Sequence, residues 1–382
     1  MKRILIMVTV LITLVVLPFP VQATDLKVAG KSAVLMDVAT GTVLYEANSH
    51  ERLAPASVTK VMTMLLIMEA VDSGKIAMTD TVTASESAAS KGGSQIFLKV
   101  GETMSVSDML KSIAVSSAND CACAMAEHLA GSEEAFVTQM NERARELGMK
   151  DTNFVNCTGL DDGENAAEHK TSAHDIALMS RELLKNHPDI KKFTTIWMDT
   201  VRNGTFGLSN TNKLVRFYQG ATGLKTGFTS GAGYCLSATA QRDGMELIAV
   251  VMGADTSANR NTACKQLLDY GFANYAVIQP EMPEPETVAV KLGRCQTVEA
   301  VLGDHSGMLI DKAQKNGVSM ELSMDGPVTA PVSQGQRLGT LTVKSGEQVL
   351  KELPLVAAEG VERMDFGDLF GMVLRRAAMA KV

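Results

Sequence analysis

The apolar positions change texture several times along the chain. Ile4 to Phe19 is almost unbroken apolar sequence, preceded by Lys2 and Arg3 and followed by Val21-Gln22-Ala23. A charged start, an apolar run and small residues at its end predict an export signal over 1–23, cleaved before Thr24. After it the pattern alternates. Ala33 to Val38 and Ala39 to Tyr45 read as two strands around a turn at Gly41. Val58 to Val71 is apolar almost all round, which predicts a buried helix. Further helices are expected over 108–115, with Ser105 as the cap, and over 120–129, 133–147 and 173–184. Leu224 to Phe228, Tyr234 to Gln241 and Met245 to Met252 read as three antiparallel strands. Asp243-Gly244 is the hairpin turn between the last two. A helix over 261–275 completes this part. Helices followed by an antiparallel sheet indicate an α+β fold.

Three prolines then fall within Gln279 to Pro285, a stiff linker. From Thr287 to Ala358 short alternating runs such as Val288 to Leu292, Val318 to Ser323 and Leu341 to Lys344 predict a small all-β domain. In the last stretch Phe366, Leu369, Phe370, Val373, Leu374 and Ala377 share one helical face. Acidic residues sit early in it and Arg375, Arg376 and Lys381 late. This is the pattern of a helix lying on an anionic membrane surface. Gly367 and Gly371 each weaken it by roughly 1 kcal/mol, so it needs a surface to form on. The expected organisation is a signal over 1–23, a catalytic domain over 24–278, a linker over 279–286, a β domain over 287–358 and an amphipathic helix over 359–382.

Composition narrows the possibilities. The 382 residues carry a formal charge of −7, which becomes −9 once the two signal basics are removed. An acidic chain without a basic stripe argues against a nucleic-acid partner. Mean hydropathy of +0.07 excludes a polytopic membrane protein. Six cysteines are too few for a disulfide-built miniprotein. Cys121 and Cys123, two apart on a helix, face different ways and are poorly placed to bridge each other. The six histidines lack metal-ligand spacing, so no metal and no cofactor are expected. The absence of Gly-x-Ser-x-Gly disfavours a Ser-His-Asp hydrolase built on a nucleophile elbow.

The chemistry lies in three short motifs. Ser57-Val-Thr-Lys60 puts a serine and a lysine on one face of a helix start. A hydroxyl needs a base to become a nucleophile, and a lysine serves when its pKa is depressed. Alone, Ser-x-x-Lys arises about once by chance in a chain this long. Ser117-Ala-Asn119 falls between two helices, and Lys225-Thr-Gly227 on the first strand of the late sheet. The trio in this order is the signature set of penicillin-binding proteins and class A β-lactamases.

The surrounding segments resemble the serine D-alanyl-D-alanine carboxypeptidases, the low-molecular-mass penicillin-binding proteins. These segments are Leu53 to Thr63, Gly93 to Glu102, Ser117 to Asp120, His169 to Asp175 and Gly223 to Thr229. The resemblance runs from about Ala33 to Tyr275, and the β domain and tail fit it too. It implies a β-lactamase/transpeptidase-like catalytic fold. It also implies a Ser57 acyl-enzyme that releases the terminal D-alanine of a peptidoglycan stem peptide and is acylated by β-lactams. In that scheme Lys60 takes the serine proton, Ser117 relays it, and Asn119 holds Lys60 and the substrate amide. Lys225 depresses the Lys60 pKa and, with Thr226 and Arg260, faces the terminal carboxylate. The N–H groups of Ser57 and Phe228 form the oxyanion hole beside Gly227. The alternatives on these residues are a D,D-endopeptidase, a β-lactamase using an acid near Asp161, and a wall-binding scaffold without activity. The expected location is the outer face of the cytoplasmic membrane, with the tail helix as the attachment.

Overall fold

The computed structural model describes residues 26–162, 165–282 and 284–379. The expected signal lies outside the described residues. Strands β1 (Ser32–Asp37) and β2 (Val43–Ala47) are followed by helices α1 (Lys60–Asp72), α2 (Val106–Ser116), α3 (Asn119–Ala130), α4 (Glu133–Glu146) and α5 (Ala173–Asn186). Strands β3 (Ala221–Thr229), β4 (Gly233–Arg242) and β5 (Met245–Ala254) come next, then helix α6 (Ser257–Asn274). The five strands form one antiparallel sheet in the order β2-β1-β5-β4-β3. The early hairpin is thus the other half of the late sheet, joined by β1 pairing with β5.

Both faces of that sheet are covered. Along β5, Ile248, Val250 and Met252 face the large core built on α1 to α5. Leu247, Ala249 and Val251 face a second core under α6. Alternate side chains point to opposite faces, so a strand buried on both reads as a continuous apolar run. Each fully buried aliphatic side chain stabilises the fold by roughly 1.5–3 kcal/mol. The Asp243-Gly244 turn has both residues at positive φ, as a two-residue hairpin requires. Ser105 caps α2 by accepting the Asp108 N–H at 3.1 Å. Helix α6 begins at Ser257 rather than 261. Thr256 caps it, accepting the Asn259 N–H, so Arg260 belongs to its first turn.

The chain continues through β6 (Tyr275–Ile278), β7 (Glu286–Lys291), β8 (Thr297–Leu302), β9 (Met308–Asp311), β10 (Val318–Met324), β11 (Val328–Thr329), β12 (Arg337–Ser345) and β13 (Gln348–Ala357). Six of these make a sheet in the order β10-β12-β13-β8-β7-β11 around its own core. The other two, β6 and β9, pair with each other and tie the β domain to the end of α6, a link the alternation did not foretell. The chain stays in the β domain beyond residue 358, because Val361 is buried and bridges Val332. Helix α7 (Phe366–Met379) therefore starts later than 359. Phe366, Phe370, Val373 and Leu374 on it are exposed.

Candidate active site

Ser57 sits in a 3-10 turn, Ala56–Thr59, that runs directly into α1. Ala56 is held at a φ of 47°, a conformation costly for a residue with a Cβ. Two glycines let neighbouring chain press onto this turn. A Cβ on Gly227 would lie 2.6 Å from Pro55 O and 3.1 Å from Ser57 N. One on Gly159 would collide with the Ala56 carbonyl. Strand β3 and the segment around Thr158 thus close on the serine from two sides.

Lys60 is fully buried. Its Nζ donates to Ser57 Oγ at 2.9 Å and to Thr158 O at 2.8 Å. Burial lowers its pKa to about 7, while Cys157 and Asp120 pull it upward. Lys225 is also buried and donates to Thr226 O at 2.9 Å. Burial, then Lys60 and Arg260, push it well below its ordinary value. Two expectations change here. Burial rather than Lys225 is the leading cause of the Lys60 shift, because loss of hydration penalises the charged form most. Nor does Asn119 hold Lys60. Its Nδ2 donates to Gly92 O at 2.7 Å, and the Thr158 carbonyl takes the place beside Lys60.

The second motif links α2 to α3. Ser117 ends α2 in a left-handed conformation at φ 63°, which turns the chain so that Asn119 starts α3. Ser117 Oγ and Asn119 Oδ1 are buried without a hydrogen-bond partner among the described residues. Buried polar atoms are normally paired, so the two orphans mark a place for a ligand's polar groups. Asp120 steadies this region. Its carboxylate accepts the N–H groups of Ile96 and Leu98, at 3.1 and 3.0 Å.

On the opposite wall, the Thr226 and Thr211 hydroxyls are 2.6 Å apart. Arg260 is only 4% exposed and stands over the Tyr234 ring, 5.8 Å from its centroid. Tyr234 in turn packs on Phe228, which is 54% exposed. Lys60, Lys225 and Arg260 form no salt bridge with a carboxylate among the described residues. These three donors are therefore left without a carboxylate partner, and an anion entering beside them would favour their charged forms.

The remaining expectations sort themselves around this geometry. His169 is engaged through both ring nitrogens. Its Nδ1 accepts the Val155 N–H at 3.0 Å, which leaves the proton on Nε2, 2.7 Å from Thr59 Oγ1. The Thr59 hydroxyl then donates to Ala56 O at 2.8 Å. Burial, Lys60 and Lys170 lower the histidine to about 4, so it braces the turn as a neutral ring. Cys121 and Cys123 are buried and all six cysteines are free thiols. No carboxylate is hydrogen-bonded to Ser57 or Lys60 among the described residues. Asp161 is exposed and near Gly231, at the cleft rim. Thr158, Gly159 and Thr211 give no signal along the chain, since a backbone carbonyl, a close approach and a lone hydroxyl leave no motif.

A serine bonded to a buried lysine, an interhelical Ser-x-Asn and a strand Lys-Thr-Gly packed beside that serine define an active-serine hydrolase of the penicillin-recognising class. Residues 20–256 match the D-alanyl-D-alanine carboxypeptidase family, and residues 278–363 the family of the penicillin-binding protein 5 C-terminal domain. The chain belongs to the D-alanyl-D-alanine carboxypeptidase family and is a serine hydrolase with that activity. It is 46% identical to D-alanyl-D-alanine carboxypeptidase DacF of Bacillus subtilis (strain 168) over 96% of both chains. Penicillin-binding protein 5 of Haemophilus influenzae superposes with a TM-score of 0.73 at 31% identity, covering 89% of this chain and 99% of that one. Penicillin-binding protein D2 of Listeria monocytogenes, solved with ampicillin bound, gives 0.57 at 33% identity, covering 65% and 100%.

Proposed function

We propose that Ser57 is the acylated nucleophile and Lys60 its base. The hydrogen bond between a solvent-excluded Lys60 and Ser57 Oγ carries this reading. With a pKa of about 7, much of Lys60 is neutral near neutral pH and able to accept the serine proton. Ser57 Oγ adds to the carbonyl between two D-alanines as its proton passes to Lys60. The oxyanion is held by the N–H groups of Ser57 and Phe228, typically the largest electrostatic contribution to acyl transfer. The C–N bond breaks as the leaving amine takes a proton through Ser117. D-alanine departs and water hydrolyses the ester. Lys225, Thr226 and Arg260 receive the terminal carboxylate, and the orphaned Asn119 Oδ1 accepts from a substrate amide. A β-lactam presents a carboxylate and a reactive carbonyl in the same relation, which makes it a covalent inhibitor.

Intact mass after incubation with a penicillin tests this, alongside D-alanine release from a pentapeptide stem. A single adduct on the wild type, lost in Ser57→Ala, is expected. An adduct that persists in Ser57→Ala overturns the reading.

The same proposal extends to location. The apolar N-terminal run directs export with cleavage after Ala23, and α7 rests the enzyme on the outer face of the cytoplasmic membrane through Phe366, Phe370, Val373 and Leu374. No helix among the described residues is long and apolar enough to cross a membrane.

A further inference from the structure

Glu133 is the first residue of α4, where an acidic side chain ordinarily faces water and complements the helix dipole. Here the carboxylate turns inward. Its Oε2 accepts from Lys91 Nζ at 2.6 Å. Its Oε1 accepts from the Cys157 N–H at 3.1 Å and from the Cys157 thiol at 3.2 Å. Burial pushes its pKa up, but Lys91 and the two Cys157 donors more than offset that and hold it below the ordinary carboxylate range.

The next residue is Thr158, whose carbonyl holds Lys60. The stretch 156–159 is clamped throughout. Asn156 Oδ1 accepts the N–H groups of Thr158 and Gly159, at 3.1 and 2.7 Å. Cys157 O accepts from Thr63 Oγ1 on α1 at 2.6 Å. Gly159 lies against Ala56 of the nucleophile turn. On the outer side a cavity of about 430 Å³ is lined by Lys91, Glu133, Asn156, Thr158 and Asp162 among others. The Lys91–Glu133 pair therefore shares the wall of a polar opening with Asn156 and Thr158, and covers Cys157 between them.

We propose that Glu133, held in place by Lys91, is a positioning residue for acyl transfer. It fixes the Thr158 carbonyl that aims Lys60 at Ser57, and with Lys91 it fills the part of the cavity wall over Cys157, which limits the approach of water to Lys60. A half-buried ion pair is a poor source of net stability, because desolvation offsets much of the Coulomb attraction. Its place beside the segment that carries the Lys60 acceptor gives it a role in the reaction instead. This inference rests on Lys60 being the base.

The test uses the full chain and follows its acylation rate by a fluorescent penicillin from about pH 5 to 9, with melting curves alongside. In Glu133→Ala, water reaches Lys60 and its pKa rises. The rising limb of the profile then moves about one pH unit higher, and the rate near pH 6 falls roughly tenfold. Glu133→Gln, which keeps an oxygen for the Cys157 N–H, restores most of the rate. A folded Glu133→Ala with its limb at the wild-type pH overturns the proposal. If that variant does not melt cooperatively, Glu133→Asp, one methylene shorter, takes its place with the same two outcomes. A Lys60→Ala variant separates the two readings. Acylation unchanged in Lys60→Ala sinks the parent reading as well, whereas a rate that needs Lys60 with an unmoved Glu133 limb sinks this inference alone.

Discussion

Lys60 Nζ donates to Ser57 Oγ across 2.9 Å from a position with no solvent exposure. Thr158 O takes a second proton of the same ammonium. The pair is therefore set for proton transfer at a cost to the fold, since a buried lysine without a carboxylate partner disfavours its charged form.

That cost has a measurable pH signature. The folded pKa of Lys60 is about 7 against an ordinary 10.5, so between these values the unfolded chain binds more protons. The penalty is fully present below about pH 7 and fades as pH rises toward about 10.5. Lys60→Met is expected to melt higher than the wild type at pH 7, with the advantage shrinking toward pH 10, and to lose acylation. Thermal melts across this range check it, and an advantage that does not shrink contradicts the buried-base assignment.

Gly227 allows β3 to touch the nucleophile turn. Gly227→Ala places a Cβ 2.6 Å from Pro55 O, against backbone that cannot swing aside. The strand must retreat from Ser57, which in the proposed scheme moves the Phe228 N–H away from the oxyanion. Loss of one oxyanion donor costs about 10²–10³ in rate. The expected outcome is an acylation rate lower by at least about a hundredfold in a protein that still folds.

His169 couples the fold to acid. Its folded pKa is about 4 against an ordinary 6.5, so stability is lost as pH falls through that window. The loss amounts to about 2–4 kcal/mol. In His169→Asn the group that must protonate is gone. The variant is less stable than the wild type at pH 7, and the gap narrows between about pH 6.5 and 4. Denaturant melts at several pH values measure it; a constant gap excludes His169 as the acid-sensitive group.

The end of the β domain decides where the tail can be cut. Val361 is buried and paired with Val332, and Arg294 binds Glu362, Asp365 and Asp368 at the start of α7. A chain ending at Met364 keeps Val361. It is expected to melt within a few degrees of the full chain and to lose binding to anionic vesicles. A chain ending at Ala358 also loses the buried valine, worth roughly 1.5–3 kcal/mol, and unfolds its β domain earlier. Vesicle co-sedimentation with parallel melts separates the two effects; a Met364 chain that stays on vesicles places the attachment elsewhere.

Much of this enzyme is legible in its amino-acid order. Ser57, Lys60, Ser117, Asn119 and Lys225 to Gly227 announce themselves because their chemistry needs particular side chains at short, regular spacings. The helices and late strands are equally visible, since burial imposes periods of 3.6 and 2 on the chain. What stays hidden involves partners far apart in sequence. Nothing in Ala33 to Asp37 says that it will lie beside Leu247 to Val251 in one sheet.

The three motifs, the longer helices and the late strands, the separate β domain and the apolar face of the tail are set along the chain. What surrounds the motif side chains is set by packing. It gives Lys60 the Thr158 carbonyl rather than Asn119 and makes burial the main depressor of its pKa. It also brings Glu133 and Lys91 in behind the segment that carries that carbonyl. The reason is physical. A side chain's identity is written in the sequence, but a backbone carbonyl is common to every residue, and exclusion from water belongs to the packed molecule as a whole.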